Sequence, residues 1–276
     1  MKSHKFLTVS AILALLFFFS STLPVSSNSE VEEEKEFSYE TGSETGPEHW
    51  GEIHKEWSAC SNGKMQSPID LSNDRVRLLH HMGDLRYYYS PAKAVMMNRG
   101  HDIMIKFEGR AGGMWIDGTE YALKQLHWHS PSEHTINGHR YALEMHMVHQ
   151  SSDNKTAVVG ILYTVGRPDP FLAKMEGYIR KTEDMDEAEK EQLGMVDPRE
   201  LNKGSRKYYR YMGSLTTPPC TEGVIWTIMK KVKTVSKEQV HLLREAVHDD
   251  MEMNARPTQL INDRVVGFYQ PKKNGF

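Results

Sequence analysis

The chain has 276 residues, of which 38% are hydrophobic and 26% charged, an ordinary globular balance with enough length for one large domain or two small ones. A formal charge of -3 gives no general basic surface and argues weakly against nucleic acid as a partner. Cys60 and Cys220 are the two cysteines of the chain, which excludes a four-cysteine zinc site and leaves histidine or carboxylate as the metal ligands available.

The opening residues, MKSHKFLTVSAILALLFFFSS, set Lys2 and Lys5 before an apolar run from Phe6 to Phe19. This is the pattern of a secretory signal peptide, and the run is shorter than the roughly 20 residues a bilayer span needs. Cleavage after Ser27 is preferred to Thr22 because serine is the smaller residue. The mature chain then has no expected membrane span, and loss of the two lysines takes its formal charge to about -5. In an oxidising compartment Cys60 and Cys220 are expected to form one long-range disulfide, two free thiols being the alternative. Asn154-Lys155-Thr156 is a glycosylation sequon in a polar loop.

Residues 28–49 are acidic and nearly without aliphatic side chains, and read as a flexible, solvated arm. No linker or repeat follows, so residues 50–276 are expected to be one domain. Short β-type runs recur along it: DIMIKFEG, GMWIDGTEYALKQLHWH, HRYALEMHMVHQ, TAVVGILYTVG and GVIWTIMKKVKTV. They predict a mainly β, mostly antiparallel sheet with few peripheral helices. Two helices are expected. DPFLAKMEGYIRK spaces Phe171, Leu172, Met175 and Ile179 helically, and SKEQVHLLREAV opens on a capping box, Ser236 with Gln239. The acidic piece TEDMDEAEKEQLG reads as an exposed loop or frayed helix end.

The stretch QLHWHSPSEH carries the chemistry. Side chains alternate along a strand, so Gln125, His127 and His129 share one face while Leu126 and Trp128 share the other. In YALEMHMVH, after an Asn137-Gly138 turn, Glu144, His146 and Val148 fall opposite Leu143, Met145 and Met147. A lone His-x-His pair on a strand is more often surface polarity than a metal site. A third histidine in phase, two residues after a glutamate, raises the case for a metal. Three neutral imidazoles on rigid strands suit zinc with its fourth position open, the arrangement of a catalytic site. Gln125 and Glu144 are placed to hold the imidazole nitrogens that do not face the metal. His134, beyond Pro131, and His149, on the core face, read as structural.

Together with QSPID (Gln66–Asp70), NRGHDIMIKF (Asn98–Phe107) and YMGSLTTPPCTEGVIW (Tyr211–Trp226), these strands make the sequence resemble the α-class carbonic anhydrases, secreted plant members in particular, from Trp50 to about Arg256. The resemblance implies a large twisted sheet with a zinc ion in a conical cleft, and reversible hydration of CO2 to bicarbonate and a proton by zinc-bound hydroxide. It implies His127, His129 and His146 as zinc ligands, with Gln125, Glu144 and the backbone carbonyl of Asn254 behind them. Thr216 and Glu133 are implied as a hydrogen-bond relay, and His101 as the proton shuttle. Val148, Val158, Leu215 and Trp226 fall on the apolar CO2 pocket, Thr217 lies beside the substrate, and Cys60 with Cys220 matches the disulfide of secreted members. Sulfonamide and anion inhibitors are expected. Arg99 and Met104 depart from the polar residues many members have on the wet side of the cavity. Two alternatives stand beside this reading: a storage or binding protein on the same scaffold, and a purely structural zinc site, which the lack of a nearby fourth ligand opposes. The expected location is the extracellular space or apoplast, with the chloroplast stroma, reached by the secretory route, as the alternative.

Overall fold

The run TAVVGILYTV is rich in β-branched residues, and eight of its positions are buried without a polar face, as suits a strand covered on both sides. It forms Thr156–Val165, pairing antiparallel with Leu143–Gln150 and parallel with Glu222–Met229. In one direction the sheet continues through Thr119–His129, Ile103–Phe107, Ala92–Asn98 and Glu191–Val196; in the other it continues through Tyr208–Ser214, Val266–Tyr269 and Val76–Leu78. This computed structural model describes residues 36–183, 185, 189–201, 205–247 and 250–271, and among them thirteen strands join the one sheet. Most pairings are antiparallel, and three are parallel. The mainly β architecture expected from the strand runs is the one found.

The central strands divide their side chains between two apolar clusters. Leu126, Trp128, Leu143, Met145, Met147, Val159 and Ile161 point to the larger cluster, where the helices Pro170–Thr182 and Lys237–Glu245 cover them with Phe171, Leu172, Ile179, Val240 and Leu243. Val158, Leu162, Tyr211, Leu215, Trp226 and Ile228 form the second cluster on the opposite face. Both helices begin where expected. The Ser236–Gln239 capping box is formed, and Asp169 caps the other helix by accepting from the backbone N–H groups of Phe171 and Leu172. Gln239 Oε1 accepts from Asp169 N at 2.8 Å, so the two helix starts are tied together. Asn137 and Gly138, both in the left-handed region at φ 51° and 73°, join Thr135–Ile136 to His139–Arg140 in a tight hairpin.

Two expectations are corrected. The signal segment and the first part of the acidic arm lie outside the described residues, but from Glu36 onward the arm is solvated on one side and packed on the other. Phe37, Ser38 and Tyr39 are buried. The rings of Phe37 and Tyr39 meet Trp50 edge-on at 5.3 and 5.5 Å, and Trp50 Nε1 donates to the carbonyls of Ser38 and Thr45. Glu36, Glu40, Glu44 and Glu48 face solvent, so the acidic composition describes one side of a strap whose two aromatics anchor the other. The second correction concerns TEDMDEAEKEQLG. Its end begins the strand Glu191–Val196, antiparallel to Ala92–Asn98, with a register shift between Gln192 and Gly194. An edge strand keeps much of its side-chain surface in water, which is why charged residues there read as a loop.

Candidate metal centre and active site

A bulge at Leu123–Gln125 resets the alternation of the Thr119–His129 strand. Beyond it Gln125, His127 and His129 share a face, and His127 lies opposite His146 on the neighbouring strand. His127, His129 and His146 are all buried, and one nitrogen from each lies within 4.8 Å of the others. His127 Nδ1 donates to Gln125 Oε1 at 2.8 Å, and His129 Nδ1 donates to the Asn254 carbonyl at 2.7 Å. His146 Nε2 donates to Glu144 Oε1 at 2.9 Å. Each imidazole thereby spends its proton on a fixed acceptor and turns a lone pair inward.

The three lone pairs face one another. His127 Nε2 and His146 Nδ1 are 3.1 Å apart, two acceptors at about the separation of ligands on one tetrahedral zinc, roughly 3.3 Å. His129 Nε2 is buried with no hydrogen-bond partner. Burial opposes protonation of His129, yet Glu133, Asp102 and the Asn254 carbonyl hold its pKa above the usual imidazole value. These surroundings favour a positive charge between the rings, as a divalent cation would supply. The donor set fits zinc.

Glu144 does more than hold His146. Its Oε2 accepts the backbone N–H groups of Glu133 and His134, and its Oε1 also accepts from His134 Nδ1. Burial works against ionisation, but His134 and His146 outweigh it and hold the carboxyl well below the usual range. His134 is structural, as its phase implied: its Nε2 accepts from Tyr211 OH at 2.7 Å, and Tyr211 OH is 2.8 Å from Ser67 Oγ. His149 is a satisfied core histidine, within hydrogen-bond distance of Tyr89 OH and the Ala157 carbonyl. Removing a support behind a ligand is expected to show in the metal affinity. Gln125→Ala should weaken zinc binding about 10- to 100-fold in competition with a chromophoric chelator; native affinity in the variant would remove Gln125 from this role.

The implied relay is only partly drawn. Glu133 is fully buried; its Oε1 accepts from Arg256 N at 3.0 Å, while Oε2 has no hydrogen-bond partner and lies 3.7 Å from His129 Nε2. Thr216 and Thr217 are buried, and Thr217 Oγ1 is likewise unpartnered. Val158, Leu215 and Trp226 belong to the second apolar cluster with Val148 packed against it, and the Trp226 ring lies 4.8 Å from that of His146. His101 is fully buried, its ring 5.4 Å from that of Phe37. Arg99 and Met104 are buried, Met104 lies opposite His127 in the strand pairing, and Arg99 Nε donates to Asp102 Oδ1. Cys60 and Cys220 are disulfide-bonded. Asn154 is exposed in the turn before Thr156–Val165.

A family model for eukaryotic-type carbonic anhydrase matches residues 45–270. The chain belongs to this family. It is a carbonic anhydrase, 53% identical over 261 residues to alpha carbonic anhydrase 7 of Arabidopsis thaliana, which spans 95% of this chain and 94% of the relative. A solved dioscorin complexed with ascorbate superposes with a TM-score of 0.83 at 47% identity, covering 86% of this chain and all of the other. The α-carbonic anhydrase of Thermovibrio ammonificans, solved with the inhibitor sulfanilamide, gives 0.75 at 36% identity, covering 84% and 98%.

Some residues of this carbonic anhydrase site escaped the sequence reading. Arg256 is fully buried; its guanidinium donates to Gln66 Oε1 and to the carbonyls of Ser67 and Cys60, and lies 5.4 Å from the Trp50 ring centroid. Through its own N–H it also fixes Glu133. Ser67 and Tyr211 lay within the quoted motifs but had no assigned partner. A buried arginine leaves no periodic trace, and its one sequence signal is its place at the end of the region of resemblance.

Proposed function

We propose that this carbonic anhydrase hydrates CO2 reversibly with one zinc ion held by His127 Nε2, His129 Nε2 and His146 Nδ1. The observation that carries this reading is the three inward lone pairs, each set by an acceptor on its far side. When bound, zinc supplies the acidity, lowering the pKa of water from 15.7 to about 7, the value measured for carbonic anhydrases themselves. The chain's residues do the rest. Glu133, fixed by Arg256 N, keeps Oε2 free to accept from the Thr216 hydroxyl, which orients the nucleophile's lone pair toward carbon. Val148, Val158, Leu215 and Trp226 form the wall against which apolar CO2 sits, and Thr217 Oγ1 faces the substrate. His101 supplies the imidazole that accepts the proton released by the nucleophile.

The protein is proposed to act in the secretory pathway or apoplast, with the chloroplast stroma as the alternative compartment, and to carry a glycan at Asn154. The disulfide supports an oxidising environment, and no helix among the described residues is long and apolar enough to cross a membrane. Stopped-flow CO2 hydration by the purified, zinc-loaded chain tests the chemistry, with an aromatic sulfonamide as control. Sulfonamide-sensitive hydration with one zinc per chain is expected. Zinc-loaded protein without it would overturn the proposal and favour the second reading, a storage or binding protein, to which the ascorbate-bound dioscorin points.

A further inference from the structure

The turn between Ala92–Asn98 and Ile103–Phe107 holds a buried ion pair beside the histidine proposed as the proton relay. Arg99 Nε donates to Asp102 Oδ1 at 2.8 Å and Nη2 donates to Oδ2 at 2.5 Å, with the side chains 4% and 1% exposed. Asp102 Oδ2 in turn lies 3.9 Å from His101 Nε2, too far for a hydrogen bond and close enough for a strong charge interaction. The turn itself is clamped. Arg99 N donates to the Asp102 carbonyl, Gly100 N donates to Asn98 Oδ1, and Asn98 Nδ2 donates to the carbonyls of Thr182 and Ala246. A buried ion pair rarely repays its desolvation in stability alone. Its place against a titratable side chain near the active site calls for a role.

We propose that Asp102, held in place by Arg99, is a positioning residue for the proton relay, keeping the Nε2 edge of His101 turned toward the ion pair and stabilising the protonated ring. This rests on His101 being the relay. Burial opposes the Asp102 charge, but Arg99, bonded to both carboxylate oxygens, outweighs it with smaller help from His101 and His127 and keeps the carboxyl far below its usual range, so Asp102 is an anion wherever the relay works. The strap brings the Phe37 ring against His101, with Glu36 paired to His54 at 2.8 Å. From the C-terminal side the Asn254 amide donates to the His101 carbonyl at 2.7 Å. The backbone of His101 is thus pinned and the Arg99–Asp102 pair bears on its ring.

The test compares wild type with His101→Ala, Asp102→Asn and the double variant Arg99→Met/Asp102→Asn, as zinc-loaded full chains in weak buffer. His101→Ala should lose most of its weak-buffer rate and regain it with saturating imidazole. Asp102→Asn removes the anion that favours the protonated ring, so the pH midpoint of its weak-buffer rate should move toward acid by about one unit, a shift that imidazole masks. The double variant leaves no buried arginine unpaired, guards against a folding failure, and should shift in the same direction. If His101→Ala keeps the wild-type rate in weak buffer, the relay assignment fails and the inference with it. If His101→Ala is slow while both Asp102 variants keep the wild-type midpoint, Asp102 serves only as the partner of Arg99 and the positioning role is overturned.

Discussion

His129→Ala is expected to lose both its zinc and its hydration activity, the rate falling on the order of 10³-fold or more because the metal supplies the nucleophile. His129 has no substitute. Its Nε2 is the buried imidazole nitrogen of the triad left without a hydrogen bond, and Glu133 Oε2, 3.7 Å from it, is the atom proposed to accept a hydrogen bond from the Thr216 hydroxyl. Two imidazoles fall short of the three protein ligands a catalytic zinc retains. Atomic absorption reads the metal and stopped-flow reads the rate, so loss of zinc is separable from a fault in later steps. A variant that kept one tightly bound zinc and a rate near wild type would show that the triad is not the metal site.

Breaking the disulfide is the second large effect. Cys60 and Cys220 close a loop of 160 residues, and chain entropy alone assigns such a loop about 5 kcal/mol. The double variant Cys60→Ser/Cys220→Ser is therefore expected to unfold at markedly lower denaturant, by several kcal/mol on extrapolation to water. A loss below about 1 kcal/mol would mean that the unfolded chain is already as restricted as the bond could make it. The bond also bears on the site. Cys220 N donates to the Thr217 carbonyl at 2.9 Å and the Cys60 carbonyl accepts from Arg256, so the loss of stability should be accompanied by loosening around Thr216 and Thr217.

The ligand triad was legible in the sequence because it obeys a period. His127 and His129 sit two apart on one strand, and His146 is in phase with Glu144 and out of phase with Met145 and Met147, so the core residues themselves fixed the face of the histidines. Gln125 and Glu144 follow from the same count. The resemblance supplied Asn254, which contributes a main-chain oxygen that residue type does not advertise. Arg256 and Asp102 were not legible, since each acts through partners distant in sequence or through a turn whose geometry the sequence does not announce. The strap was misread because four exposed glutamates outweighed Phe37 and Tyr39 in composition, and the Glu191–Val196 strand because its position at the sheet edge allows it to stay polar.

Asn254 has a bearing on when the site comes into being. Its carbonyl fixes His129, its Oδ1 accepts from Ser130 N, and its Nδ2 donates to the carbonyls of His101 and Trp128, while Arg256, two residues on, fixes Glu133. These contacts reach back more than 120 residues. A nascent chain released only as far as residue 250 would carry all three metal histidines, yet nothing to set the tautomer of His129 or steady Glu133. Capture of the metal in its working geometry thus waits until the segment from Asn254 to Arg256 has closed over strands already in place.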